Sequence, residues 1–193
     1  MTVLKTEPVI FNDFIKFNED ELHNGIYIVV LHATRIPPHI GLIIDKQYHS
    51  LTVKGHDYNT PVRALIKNIE QRRIPSLFIK IKSHTTFSNT YLKEHFILNI
   101  QQFPRVDKNV ATCLSPIKLF FDETYAVPMK EVNFLFDLLP KLCNEQLIEH
   151  SYSLKKKKKE YQLPLYTQEQ LDTEIENVRT EVNTIIQPFS QTP

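Results

Sequence analysis

The stretch GIYIVVLHATRIPPHIGLIIDKQYHSLTVKG, residues 25–55, contains three consecutive β-strand patterns. Residues 25–33 are rich in β-branched and aromatic side chains, and residues 39–45 repeat this composition behind two prolines. Residues 48–55 alternate between two faces, and only a short polar segment separates them from the second pattern. The sequence therefore predicts a meander of three antiparallel strands at the beginning of the core.

The patterns after this meander are mainly helical. They predict a strand at residues 76–82 and helices at 61–73, 89–103, 113–125 and, as two patterns interrupted near Pro140, at 129–150. Ser88 or Asn89 is the expected N-cap of the second helix, and Thr112 that of the third. Strands and helices in this order predict an α+β fold, with an antiparallel sheet packed against helices.

A change in composition near Ser151 divides the chain. We predict a domain over residues 1–152, a lysine-rich linker over 153–166 and a C-terminal amphipathic helix with a tail over 167–193. The helix is indicated by apolar residues at spacings of four and three, namely Leu171, Ile175, Val178, Val182 and Ile185. Such a helix needs a partner, either its own domain or a second chain, and docking on its own domain is the preferred expectation.

Composition and charge exclude several classes of function. The 193 residues carry a net charge of +1, so no overall field would attract nucleic acid. The 3 glycines lie within residues 25–55 without the spacing of a phosphate-binding loop, and the histidines and cysteines lack metal-ligand spacing. No cofactor or metal is expected. With two cysteines, no signal region and no long apolar run, we expect a cytoplasmic protein without a disulfide or a transmembrane segment.

Cys113 and Cys143 differ in their sequence setting. Cys113 is expected in the first turn of a helix, where unpaired backbone N–H groups and the helix dipole favour a thiolate. That position suits a nucleophile, although a small buried core residue is the alternative reading. Cys143 lies among leucines at helical spacing and is interpreted as a core residue.

His39 supplies a possible base for this nucleophile. It opens the second strand of the meander, where its ring can project from the edge of the sheet toward a thiolate at a helix start. Taken alone, a histidine in this position is more often a solvated strand-end residue.

The order of these features resembles the circularly permuted branch of the NlpC-type papain-like peptidases, which includes relatives of lecithin:retinol acyltransferase. Members show a His-x-Gly-hydrophobic motif opening a strand, a hairpin after it, and a downstream cysteine at a helix start. His39, Gly41 and Cys113 fall on these positions, and the resemblance covers roughly residues 20–125. It implies a permuted papain-like fold and a Cys113–His39 catalytic pair. The family's third residue, which orients the histidine, would be His49 or Ser50.

The resemblance implies a cysteine-dependent hydrolase or acyltransferase, acting on a peptide, isopeptide or lipid-like acyl group through a thioester. The alternative is a non-catalytic binding or scaffold protein that engages a protein partner, or a second copy, through residues 168–186. A third reading concerns the five lysines at 155–159, which could contact phosphates or an anionic lipid surface. Because no aromatic residues are interleaved with them, we interpret them as a solvated linker and expect no nucleic-acid partner.

Overall fold

The structure, a computed structural model, describes residues 10–11, 14–15, 18–154 and 161–186. The described strands are β1 (Ile10–Phe11), β2 (Phe14–Ile15), β3 (Ile26–Leu31), β4 (His39–Ile44), β5 (Gln47–Thr52), β6 (Gly55–Pro61), β7 (Ser76–Ile81), β8 (Ile148–Leu154) and β9 (Tyr161–Gln162). The described helices are a short 3-10 helix (Glu19–His23), α1 (Val62–Arg72), α2 (Asn89–Gln101), α3 (Ser115–Tyr125), α4 (Leu135–Asn144) and α5 (Gln168–Ile186). The predicted α+β class is confirmed. None of these helices is both long and apolar enough to cross a membrane.

The main sheet has the strand order β2-β8-β7-β3-β4-β5-β6. Its six strands from β8 to β6 are antiparallel, and β2 joins β8 in parallel. The predicted meander is present as β3, β4 and β5. The tight turn between β4 and β5 has positive φ at Asp45 and Lys46, as a two-residue hairpin turn requires.

The two faces of the sheet bury separate cores. On β4, Ile40, Leu42 and Ile44 belong to the larger core, which α2, α3, α4 and α5 complete. Ile43 faces the opposite way, into the smaller core completed by α1 and the 3-10 helix. Because side chains alternate along a strand, His39 and Gly41 lie on the same face of β4 as Ile43.

The prediction of two helical patterns over residues 129–150 is wrong. One helix, α4, passes through Pro140, and the chain then enters the sheet as β8. The start of α4 is held by Asp137, whose carboxylate accepts from the backbone N–H of Phe134 at 2.9 Å. Strand β8 runs to Leu154, past the predicted boundary at residue 152, and residues 155–159 lie outside the described residues.

The amphipathic helix predicted near the C-terminus is α5, and it docks on the domain. Leu171 and Ile175 are buried in the larger core. Two ion pairs hold the exposed side of the helix, Arg179 to Asp107 at 3.0 Å and Lys108 to Glu176 at 2.9 Å. The apolar positions at the beginning of α5 are therefore already occupied by the chain's own core.

Candidate active site

His39 lies where β4 separates from β5. The two strands pair only between Leu42–Ile44 and Gln47–His49, so the beginning of β4 diverges from β5. Nε2 of His39 is 3.2 Å from Oγ of Ser50, which is 1% exposed. Ser50 was one of the two candidates for the orienting residue, and the structure brings it to the imidazole.

The imidazole of His39 is neutral at pH 7. Burial lowers its pKa from 6.5 to about 4, and the neighbouring His32 adds a smaller contribution in the same direction. A neutral imidazole bonded through Nε2 to a hydroxyl has Nδ1 available to accept a proton when the hydrogen is on Nε2.

His49, the other candidate, lies on the opposite face of β5 from Ser50. Its Nδ1 accepts from the backbone N–H of Asn59 at 3.2 Å, where an irregularity interrupts the pairing of β5 with β6. Its ring packs edge-on against Phe96 in the larger core. The structure therefore gives His49 a place in holding this irregularity, away from the His39 ring.

Cys113 lies immediately before α3 and not in its first turn, so the predicted helix start is wrong. The physical reason is Pro116, which has no N–H to donate to the carbonyl of Thr112. That carbonyl accepts instead from Ser115 N–H at 3.1 Å, closing a tight turn around Cys113. The Thr112 hydroxyl accepts from Leu114 N–H at 3.2 Å and stabilises the same turn. Helix α3 begins at Ser115, with Leu114 as its N-cap.

The sulfur of Cys113 is surrounded by backbone donors. The N–H groups of Ile40, Cys113 and Leu114 lower the pKa of the thiol, but burial is the largest effect and raises it. Cys113 is therefore a protonated thiol at neutral pH. Cys143 is also a free cysteine, but it is exposed, so its interpretation as a core residue is wrong.

The backbone at His39 and Ile40 links the His39–Ser50 contact to the surroundings of Cys113. Because Ile40 directly follows His39, an Ile40 N–H that faces the sulfur places Sγ beside the peptide bond between these residues. Within the described part of the chain, no hydrogen bond joins Sγ directly to the His39 ring. The His39 ring lies on the face of the sheet that carries the smaller core, whereas Cys113 packs against the larger core, so the structure does not bring the predicted base and nucleophile into direct contact.

A narrow cleft lies beside Cys113, and the space inside it is about 20 Å³, roughly enough for one water molecule. Its apolar lining consists of Pro37, Pro38, Ile40, Leu114, Leu135 and Leu171. Thr112, Asn133 and Tyr166 also line it. The sequence alone does not indicate that Asn133, Leu135 and Tyr166 line this cleft, because their positions depend on how distant segments pack. Among the described residues, no group of three His, Cys, Asp or Glu side chains could hold a metal ion.

Leu171 of α5 forms one wall of this cleft. We expect Leu171→Ala to increase the rate at which iodoacetamide alkylates Cys113 several-fold, because the shorter side chain opens the approach to Sγ. Peptide mass spectrometry measures the rate, with exposed Cys143 as the reference in the same molecule. Leu165→Ala is the matched control, since Leu165 is 42% exposed in the segment leading to α5. Equal rates in the two variants would contradict the assignment of this wall.

Comparisons with protein-family models, curated proteins and solved structures gave no match to this chain.

Proposed function

We propose that the chain is a cysteine-dependent hydrolase or acyltransferase of amides or esters, with a permuted papain-like arrangement of its α+β fold. One observation carries the proposal: His39 and Ile40 are consecutive residues, and one of them contacts Ser50 while the other contacts Cys113. The His39 ring contacts Ser50, and the Ile40 N–H faces the sulfur of Cys113. Nucleophilic catalysis needs the base within reach of the thiol, so the proposal requires the His39 ring to turn toward Sγ at the end of β4 when substrate binds.

In the first step, Nδ1 of His39 removes the proton of the Cys113 thiol as sulfur attacks the substrate carbonyl. The new S–C bond forms while the C=O π electrons move to oxygen. The backbone N–H of Cys113 is the proposed donor to this oxyanion. Because the resting pair is neutral, with a raised thiol pKa and a lowered imidazole pKa, proton transfer accompanies the attack and does not precede it.

In the second step, the tetrahedral intermediate collapses to a thioester. The bond to the leaving amine or alcohol breaks, and protonated His39 gives the leaving group its proton. Water or an acceptor nucleophile then attacks the thioester, with His39 again taking the proton. When the S–C bond breaks, protonated His39 returns its proton to the sulfur, so the Cys113 thiol is regenerated and the new acid, ester or amide is released.

The lining of the cleft supports the proposed substrate class. Apolar walls next to Cys113 favour a substrate with an apolar group near the reacting carbonyl. A peptide, an isopeptide and a lipid-like ester can each present such a group. Because Cys113 and Cys143 are both free, a reducing compartment such as the cytoplasm is part of the proposal.

An acyl-transfer assay with a generic donor tests the proposal. After incubation with p-nitrophenyl butyrate and an acid quench, we expect mass spectrometry to find a butyryl thioester on Cys113. His39→Ala should slow its formation by about 100-fold, the usual contribution of a general base. Cys143→Ser is the control and should acylate at the wild-type rate. Equal acylation of Cys113 and Cys143, or a His39→Ala rate equal to wild type, would refute the catalytic pair.

The burial of the Cys113 thiol favours a second candidate, a non-catalytic binding protein with the same fold. That protein would form no thioester in the same assay. A partner using α5 would have to contact residues other than Leu171 and Ile175, which are buried in the chain's own core. Binding to an anionic surface through residues 155–159 would show as salt-sensitive association that is lost when these lysines become glutamine.

A further inference from the structure

The cleft beside Cys113 is too small for an acyl group. It has space for about one water molecule, whereas even a short acyl chain is several times larger. Its walls come from the beginning of β4, from the turn before α3, from the start of α4 and from the C-terminal segment that includes Leu171. A substrate can therefore reach Sγ only after one of these walls has moved.

Three of the walls belong to the body of the domain. Their apolar residues Ile40, Leu114 and Leu135 are 2%, 5% and 2% exposed, and all three lie in the larger core. Ile40 also pairs with Val30 in the middle of the sheet. Moving any of these walls would disturb the core and, at β4, the sheet itself.

The remaining wall belongs to α5, which is held by few contacts. Among the α5 residues whose side chains the structure describes, Leu171 and Ile175 are the buried ones. The two ion pairs of the helix both end on residues 107–108, and ion pairs between partly exposed side chains are weak and are screened by salt. A segment with few buried contacts and exposed ion pairs opens locally at low cost in free energy.

A pivot for this opening lies at the beginning of α5. The ring of Tyr166 packs edge-on against Phe134 and Phe136, with centroids 5.3 and 5.2 Å away, and so anchors the chain before the helix. Thr167 and Gln170 cap the helix reciprocally, since each backbone N–H donates to the side-chain oxygen of the other residue. The first turn of α5 is therefore held by its own residues, and the helix can swing about Thr167 while Tyr166 stays in place.

We propose that α5 is an autoinhibitory cover, which closes the cleft beside Cys113 when docked and opens it by swinging away as a helix. The ion pairs of α5 hold it to the turn that leads into the nucleophile, because Asp107 and Ala111 exchange backbone hydrogen bonds at 2.9 and 3.1 Å just before Thr112. The regulatory meaning of the cover rests on the proposed function, since a cover controls a reaction only if Cys113 reacts.

Reversing one charge tests the cover without requiring catalysis. Lys108→Glu places a carboxylate against Glu176, so α5 should detach more often and iodoacetamide should alkylate Cys113 about fivefold faster, relative to exposed Cys143. The added negative charge by itself would disfavour the thiolate and slow the reaction. Lys108→Glu combined with Glu176→Lys restores the ion pair in reverse and should return the rate to the wild-type value.

Hydrogen exchange identifies the element that moves. In Lys108→Glu, the backbone N–H groups of α5 should exchange faster, while those of α2 should keep the wild-type rate. Arg63→Glu is the matched control, because it reverses a charge at the exposed pair with Glu19 on the other face of the sheet, and it should change neither measurement. Ile175→Glu removes a buried contact of α5 and should speed alkylation at least as much as Lys108→Glu.

Three results would overturn the inference. The first is a wild-type alkylation rate of Cys113 in both Lys108→Glu and Ile175→Glu. The second is faster exchange in α5 without faster alkylation. The third is faster exchange throughout α2 in Lys108→Glu, which would assign the opening to the whole domain.

The acylation assay separates the cover from the proposed function. If both hold, Lys108→Glu should form the butyryl thioester on Cys113 faster than wild type. Faster alkylation with no thioester in either protein would support the cover and refute the proposed function. A thioester formed at equal rates in both proteins, together with wild-type alkylation in Lys108→Glu and Ile175→Glu, would overturn the cover and leave the proposed function standing.

Discussion

Gly41→Ala should lower the free energy of unfolding by about 3 kcal/mol, near the upper end of typical overpacking costs. The added Cβ would lie 2.6 Å from the backbone oxygen of His49 as well as against the Tyr48 ring. The ring can be displaced only by disturbing the smaller core, and the backbone oxygen belongs to the β4–β5 hairpin. Urea unfolding followed by circular dichroism measures the loss.

A double-mutant cycle separates these two contacts. In a Tyr48→Leu background, Gly41→Ala should cost clearly less than in wild type, because the shorter side chain no longer crosses β4. The clash with the His49 oxygen would remain and set the residual cost. Equal costs in both backgrounds would show that the Tyr48 ring does not pack on Gly41.

Acidification should destabilise the fold below about pH 6.5, and His49 is the clearest cause. Burial lowers its pKa from 6.5 to about 4, the Lys93 ammonium lowers it further, and Asp45 opposes the shift. Between these values the unfolded chain binds the proton and the folded chain does not, so stability is complete above pH 6.5 and falls as the pH approaches 4. This difference between the pKa of His49 in the unfolded and the folded chain corresponds to about 3 kcal/mol in the free energy of unfolding. His39, with a pKa also near 4, acts in the same direction.

Urea unfolding at pH 7.5 and pH 4.5 measures this acid sensitivity. His49→Asn is the informative variant, because an amide oxygen can accept from Asn59 N–H much as Nδ1 does and cannot gain a charge. We expect its stability to fall less than that of wild type between the two pH values. A parallel fall in both proteins would exclude His49 as the source.

The sequence predicts the hairpin of this site well. Asp45 and Lys46 are the two turn residues between β4 and β5, so the alternation of side chains along each strand decides which side chains share a face. That parity separates Ser50 from its neighbour His49. The sequence alone does not decide which of the two faces His39, because the pairing register at the diverging end of β4 depends on tertiary contacts.

Five of the described strands, β1, β2, β6, β8 and β9, and the start of α3 could not be predicted from the sequence pattern. Strands β6 and β8 carry many polar residues, in GHDYNTP and IEHSYSL, so neither shows the apolar composition of β3 or β4. At Cys113, the Thr112 side chain looks like an N-cap, but Pro116 moves the helix start forward. The cleft was not predictable for a different reason, since Asn133, Tyr166 and Leu171 meet only after the whole chain has folded.

The divergence of β4 from β5 has a consequence for the order in which the parts of the proposed site form during synthesis of the chain. The imidazole and its serine belong to one hairpin, which can form as soon as residues 39–50 have been synthesised. The sulfur arrives much later in the sequence, from the opposite face of the sheet, and packs there with the larger core. A nascent chain can therefore form the His39–Ser50 contact before Cys113 is in place, and the two residues of the proposed pair belong to one folded unit only after α3 docks.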